Sequence, residues 1–260
     1  MKTKTKKRLA GAAGILIILC LLLAVDAVTG DPVSRAWAEW RALHRAETLY
    51  PEQEFYVSSS YSGQFFNYGV TVQSTTSTDT HFDVITDFWL FTEDRAEEQV
   101  ENRWNTCYRM GEEGADLIAA AMAKDAPELV LSGNYGPEMR TVELDLAWEP
   151  DGEGAGRSVP GNYAENFPLD GSFDVSLLQK VPSRVCMQVL WQGAPAQEDL
   201  DSVLRTVKQV MEANDLPVTY YDVTLVPMYS LDEYNRRYSS HEAIQNGLLE
   251  SGPVAAAQVE

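Results

Sequence analysis

Side chains able to do chemistry are few in this chain of 260 residues and scattered along it. The histidines are His44, His81 and His241, and the cysteines are Cys20, Cys107 and Cys186. No cysteine or carboxylate stands at zinc-ligand spacing around any of these histidines, so no metal site is expected. His44 reads as a helix-surface residue, His81 as a hydrogen-bonded residue at a strand start, and His241 as part of a weakly structured tail. Ser58, Ser59 and Ser60 have no base nearby in sequence, and no Gly-x-Ser-x-Gly elbow occurs. Asp151-Gly152-Glu153-Gly154 lacks the alternating ligands and closing glutamate of a calcium loop, which leaves an acidic turn. Leu216-Pro217-Val218-Thr219 approaches a wall-sorting signal, but Tyr220 stands where that signal has glycine. The expectation is a chain that is not an enzyme, with no catalytic residue and no cofactor. Carboxylate pairs are a weak clue, because 39 acidic residues make chance proximity inevitable.

The elements that would position these residues begin with a basic cluster, Lys2, Lys4, Lys6, Lys7 and Arg8. An uncharged apolar run from Leu9 to Val25 follows, and Asp26 ends it. Such a run approaches the roughly 17–25 helical residues needed to cross a hydrocarbon core. Residues 1–30 are therefore expected to be a cytoplasmic stub and a transmembrane helix, with the lipid bilayer as partner of residues 9–25. The positive end belongs inside, which makes the chain a single-pass protein of the cell membrane with its C-terminal part extracytoplasmic. Cleavage after Ala27, with Val25 at the −3 position, is the alternative. Cys20 reads as a small apolar residue within the run. Beyond the basic cluster the chain has 20 − 5 = 15 basic and 39 acidic residues, a balance of −24. That charge repels phosphates and excludes nucleic acid as a partner.

A first domain is expected over residues 31–127. Asp31-Pro32 is a helix start, and Val33, Ala36, Trp37, Trp40 and Leu43 recur at helical spacing as its apparent core face. Strands are expected over 54–60, 68–74 and 81–91, then a helix from Arg95 to Lys124 with Glu97, Glu98 and Glu101 on a solvated face. Gly111 and Gly114 each weaken the middle of that helix by about 1 kcal/mol relative to alanine, which allows a bend or break there. A second domain over 128–228 contains a strand at 141–148, a loop at 149–166, a strand at 184–191, an amphipathic helix at 198–214 and a strand at 218–226. Strand, helix and strand with short links define a βαβ unit. Residues 229–260, with Arg236 and Arg237 among tyrosines, form the tail. Cys107 and Cys186 fall in different elements, which favours two buried thiols over a disulfide. The fold class is α+β: a transmembrane helix, a helix packed on an antiparallel meander, then a sheet containing a βαβ unit.

Several short stretches carry a resemblance. Gly30-Asp31-Pro32-Val33-Ser34, Asp79-Thr80-His81-Phe82 and Trp104-Asn105-Thr106, taken with the C-terminal strand-helix-strand unit, are similar to the YfjL-like family of membrane-anchored Gram-positive bacterial proteins. The resemblance covers roughly residues 10–228 and implies an anchor, an extracytoplasmic placement and a two-part α+β architecture. It brings no catalytic residue, and it leaves Thr80, His81, Phe82, Trp104, Asn105 and Thr106 as motif residues of unassigned role. The expected function is a non-enzymatic binding or regulatory module of the cell envelope, with an envelope protein or peptide as partner. The alternatives are an envelope hydrolase using an acidic pair, and an inhibitor or sensor that binds peptides along a sheet edge.

Overall fold

Ser34, Ala38, Ala42 and Ala46 recur every four residues, and this stripe decides how the first helix packs. The computed structural model describes residues 11, 13–18, 21, 32–63, 67–87, 90–132, 141–151, 156–228 and 249–259. Helix α1 (Pro32–Leu49) buries those four small side chains against an antiparallel sheet. The sheet runs in the order β1 (Phe55–Ser62), β2 (Asn67–Ser74), β3 (His81–Asp87), β4 (Phe91–Asp94). Tyr68, Val70, Val72, Phe82 and Val84 meet the alanines, and Ala96 and Val100 complete this core.

Small side chains let a helix axis approach a sheet closely, and a tryptophan at the contact would hold it off. The core face expected from Val33, Ala36, Trp37, Trp40 and Leu43 is therefore corrected. Leu43 is partly buried, and the other four are exposed, Trp37 at 45% and Trp40 at 55%. The strand expected over 81–91 ends at Asp87, and the chain resumes as β4, so the meander has four strands.

The helix expected from Arg95 to Lys124 also divides, though not at its glycines. A π-helical turn spans Glu97–Glu101, Arg103 adopts a left-handed φ of 62°, and helix α2 then runs unbroken from Trp104 to Asp125. Gly111 and Gly114 face β6 (Val142–Leu146). A Cβ added at Gly111 would lie 2.5 Å from the Leu144 carbonyl oxygen, and one at Gly114 would lie 2.5 Å from Leu144 Cδ2. These glycines mark a close approach and produce no bend. The chain separates into two compact units, 1–101 and 102–260. Helix α2 thus belongs to the second unit, although its place in sequence had put it in a domain ending at 127. Cys107, Met110, Ile118 and Met122 are buried in the second core.

That core is built on a sheet ordered β11 (Leu249–Glu250), β10 (Tyr220–Met228), β9 (Ser183–Gln192), β5 (Leu131–Ser132). Strand β6 also pairs with β9, and β12 (Val254–Ala255) with β10. Helix α3 (Gln197–Ala213) links β9 to β10, which pair in parallel from Tyr220↔Arg184 to Met228↔Gln192. Leu200, Val203, Leu204, Val207, Val210 and Met211 form its buried face. Val185, Met187 and Val189 point into the core, while Arg184, Cys186 and Gln188 occupy the other face of β9. Ala147, at φ 53°, turns the chain between β6 and a separate hairpin of β7 (Trp148–Pro150) and β8 (Gly156–Ser158), so the strand expected over 141–148 is interrupted.

The transmembrane helix is also corrected. Residues 11, 13–18 and 21 of the apolar run are helical, but among the described residues no helix is long and apolar enough to cross a membrane. The single-pass description is set aside with it. The basic cluster, Cys20, Ala27, Gly30, Asp31, Phe88, Trp89, Gly152–Gly154, Arg236, Arg237 and His241 lie outside the described residues. Cys107 and Cys186 are both free thiols.

Two substitutions test the packing. By helix propensity alone, Gly111→Ala should stabilise by about 1 kcal/mol. The contact with Leu144 reverses the sign, and urea denaturation should show a loss of about 1–3 kcal/mol; a raised midpoint would refute the close approach. Ala42→Leu should cost about 1–3 kcal/mol by overpacking, whereas Trp40→Ala should stay within about 0.5 kcal/mol of wild type. The same denaturation curves would refute this assignment of faces if the two effects were reversed.

Candidate functional site

The motif residues hold local structure. Thr80, 1% exposed, closes the loop from Ser74 to Thr80: its N–H donates to Ser77 Oγ at 3.0 Å, and its carbonyl accepts from Ser74 N–H at 2.9 Å. His81 Nδ1 lies 3.0 Å from the Thr78 carbonyl oxygen within the same turn. Phe82 is fully buried and packs edge-on to Phe55 at 6.1 Å. Trp104, Asn105 and Thr106 open α2 in the other unit, with Trp104 half-exposed and the following two buried. The first triplet therefore belongs to one unit and the second to the other. Glu97, Glu98 and Glu101 are exposed, as a solvated face requires.

In the second unit, the polar face of the sheet gathers charged groups. Arg184 and Asp145 are register partners across β9 and β6, with Nη2 donating to Asp145 Oδ2 at 2.6 Å. Arg184 Nη1 donates to Asp222 Oδ2 at 3.2 Å, and its Cζ sits 4.9 Å from the centre of the buried Trp148 ring. Beside them is a cavity of about 110 Å³ lined by Glu143, Cys186, Gln188, Asp222 and Thr224. Burial pushes the Asp222 carboxyl above the ordinary carboxylate range against the pull of Arg184, with Glu250 and Asp145 adding repulsion. Burial likewise raises the Cys186 thiol, and it drives Cys107 up to about 12. Neither thiol is a nucleophile at neutral pH, because the reactive form is the thiolate. The carboxylate pair is real, but one guanidinium holds both members.

The first unit presents a different surface. Trp37, Trp40, Arg41, His44, Arg45 and Thr48 of α1, with Thr92 of β4, line a groove of about 590 Å³. These α1 positions follow three- and four-residue steps, so they share one side of the helix. The Trp37 and Trp40 rings are 5.1 Å apart, and Trp40 stacks on His44 at 5.7 Å with 5° between planes. Arg41 Nη1 donates to the Leu90 carbonyl at 3.3 Å, and Arg45 Nε donates to Asp94 Oδ2 at 2.7 Å. Thr92 Oγ1 is buried and has no hydrogen-bond partner among the described residues. Leu90 and Phe91, beside the groove, are 73% and 68% exposed. Arg41, Arg45, Thr48 and Thr92 were not singled out from sequence. The signal was the repeat of aromatic and basic residues at 37, 40, 41, 44 and 45, which marks a surface once the alanine stripe is recognised as the core face.

Residues 5–93 match the family model described as YfjL-like, N-terminal domain. The similarity is to a family of unknown function and spans about a third of the chain. A crystal structure of a DUF5037 family protein from Ruminococcus gnavus is similar over 82% of this chain and 89% of that one, at 10% identity and a TM-score of 0.27. No curated protein matches the chain.

The Arg184 cluster makes a pH-dependent prediction. A carboxyl whose folded pKa exceeds its unfolded value favours the fold most below the unfolded pKa, and that contribution is lost as pH rises through the folded pKa. Charged Asp222 is thus tolerated at neutral pH because Arg184 faces it. Arg184→Met should cost on the order of 1–3 kcal/mol at pH 7, discounted from a fully buried pair because these side chains are 22–32% exposed. The loss should shrink as pH falls toward the carboxylate range. Urea midpoints at neutral and acid pH measure it, and an equal loss at both would assign the effect to packing alone.

Proposed function

We propose that this chain is a non-enzymatic binding module and that the groove along α1 is the surface through which its first unit meets a partner. One observation carries this: α1 gives its alanines to the core and leaves Trp37 and Trp40 in solvent. Two half-exposed indoles expose about 200 Å² of apolar surface, and covering it contributes about 5 kcal/mol. A partner that covers them gains this contribution, against the cost of its own immobilisation. Exposed aromatics beside basic residues are also the composition that anchors protein interfaces.

The acidic-pair hydrolase has less support. Asp145 and Asp222 are close, but both accept from Arg184, and a general acid or base needs freedom to exchange its proton at the working pH. Peptide addition at a sheet edge is a second reading with an observation in its favour. Strand β1 is an edge, has no charged residue from Phe55 to Ser62, and exposes Tyr56 and Tyr61. A bulge between Val57 and Ser59 interrupts that edge and limits the length of strand it offers.

The test is site-specific photo-crosslinking in cells that express the full chain. A benzophenone side chain at position 37 should give a discrete crosslinked species that disappears in the Trp40→Ala background. The same probe at the exposed position 124, in the other unit, should give none. Equal yields from both positions, or no product from position 37, would overturn the assignment of the groove.

A further inference from the structure

We infer that the α1 groove takes a short acidic peptide segment carrying a large apolar side chain. This rests on the binding function proposed above and names the ligand class of the same groove. Charge placement is the first argument. The described part of the first unit holds twelve carboxylates, Glu39, Glu47, Glu52, Glu54, Asp79, Asp83, Asp87, Glu93, Asp94, Glu97, Glu98 and Glu101, against Arg35, Arg41, Arg45 and Arg95. Two of those four arginines line the groove together with His44, and no carboxylate is among its described lining residues. Asp94 pairs with Arg45 through its Nε, while the Arg45 side chain remains 45% exposed. In a chain with a formal charge of −19, this is a local site where an anion meets guanidinium groups.

The groove also has an apolar half. Trp37 and Trp40 offer ring surface at one end, and the Trp40–His44 stack holds the indole in place before any ligand arrives. Thr92 of β4 lines the groove beside the helix residues. A volume of about 590 Å³ lies in the range of sites that take a few side chains. Long polyanions fit poorly, because phosphates beyond the groove meet the acidic surface around it. An anionic membrane fits poorly too, since surface attraction takes a cluster of about 4–8 basic residues. A peptide places its carboxylates on Arg41 and Arg45 and its apolar side chain on the indoles within the length of the groove.

Fluorescence anisotropy on the full-length chain tests this with a labelled Asp-Asp-Phe-Asp-Leu peptide. The controls are its lysine counterpart, Lys-Lys-Phe-Lys-Leu, and phosphatidylserine vesicles. The acidic peptide should bind saturably and weaken as salt rises, while the lysine peptide and the vesicles should not bind. Trp40→Ala and Arg41→Gln should each weaken binding by about tenfold, with urea midpoints checking that both variants fold. Trp37→Phe serves if either variant does not. No saturable binding, equal affinity for the two peptides, vesicle binding, or affinity unchanged in folded variants would each overturn the ligand class. If the acidic peptide fails while the crosslink from position 37 persists, the ligand class falls alone; if both are absent, the binding function falls with it.

Discussion

Both units depend on helices whose contact residues are small enough to let backbone approach backbone. In the first, Ser34, Ala38, Ala42 and Ala46 bring α1 down onto β1 and β2. In the second, Gly111 and Gly114 bring α2 onto β6, with the Leu144 carbonyl oxygen where a Cβ would otherwise sit. Protein interiors are packed nearly as tightly as organic crystals, so one methyl group at such a point displaces a whole element. The same residues look weak by helix propensity and by hydrophobicity. Their value lies in what they leave out.

A helix that spends its small residues on the core must put its large ones elsewhere. On α1 this leaves Trp37, Trp40 and His44 beside Arg41 and Arg45, facing a groove rather than the sheet. Residues that would have supplied most of the buried area in a more ordinary amphipathic helix become available for contact instead. The surrounding acidity gives this patch contrast, because a basic site on an acidic protein selects by sign as well as by shape. On the proposed reading, fold stability and ligand contact fall on different faces of one helix, and a change on one face should leave the other largely intact.

Groups that suggest chemistry in the second unit are engaged in structure. Arg184 ties Asp145 and Asp222 across adjacent strands and rests on Trp148, while burial keeps Cys186 and Cys107 protonated. Cross-strand charge pairs of this kind stabilise strand register. They also show why a close pair of carboxylates is a poor guide to hydrolysis. What matters is whether a proton can be exchanged, and a shared guanidinium opposes that.

Much of the local structure was legible in the residues themselves. The βαβ unit follows from the period of 3.6 in α3 set between two alternating strands, and the parallel pairing of β9 with β10 requires no further information. The family resemblance carried by Asp79-Thr80-His81-Phe82 lies within residues 5–93, where the family match is found. The chain alone also determined that no histidine or cysteine pattern of a known site is present. Tertiary structure decided the rest. Propensity allowed a bend or break around Gly111 and Gly114, but the break falls at Arg103, because the glycines are held straight against β6. Sequence distance put α2 in the first domain, whereas its buried face belongs to the second core. The apolar run at the N-terminus suggested a membrane span that no described helix provides. The groove was written in the sequence as a stripe of tryptophan, histidine and arginine, yet periodicity gives only the angle between faces. Which face turns inward depends on the closeness of the sheet, and that distance exists only in three dimensions.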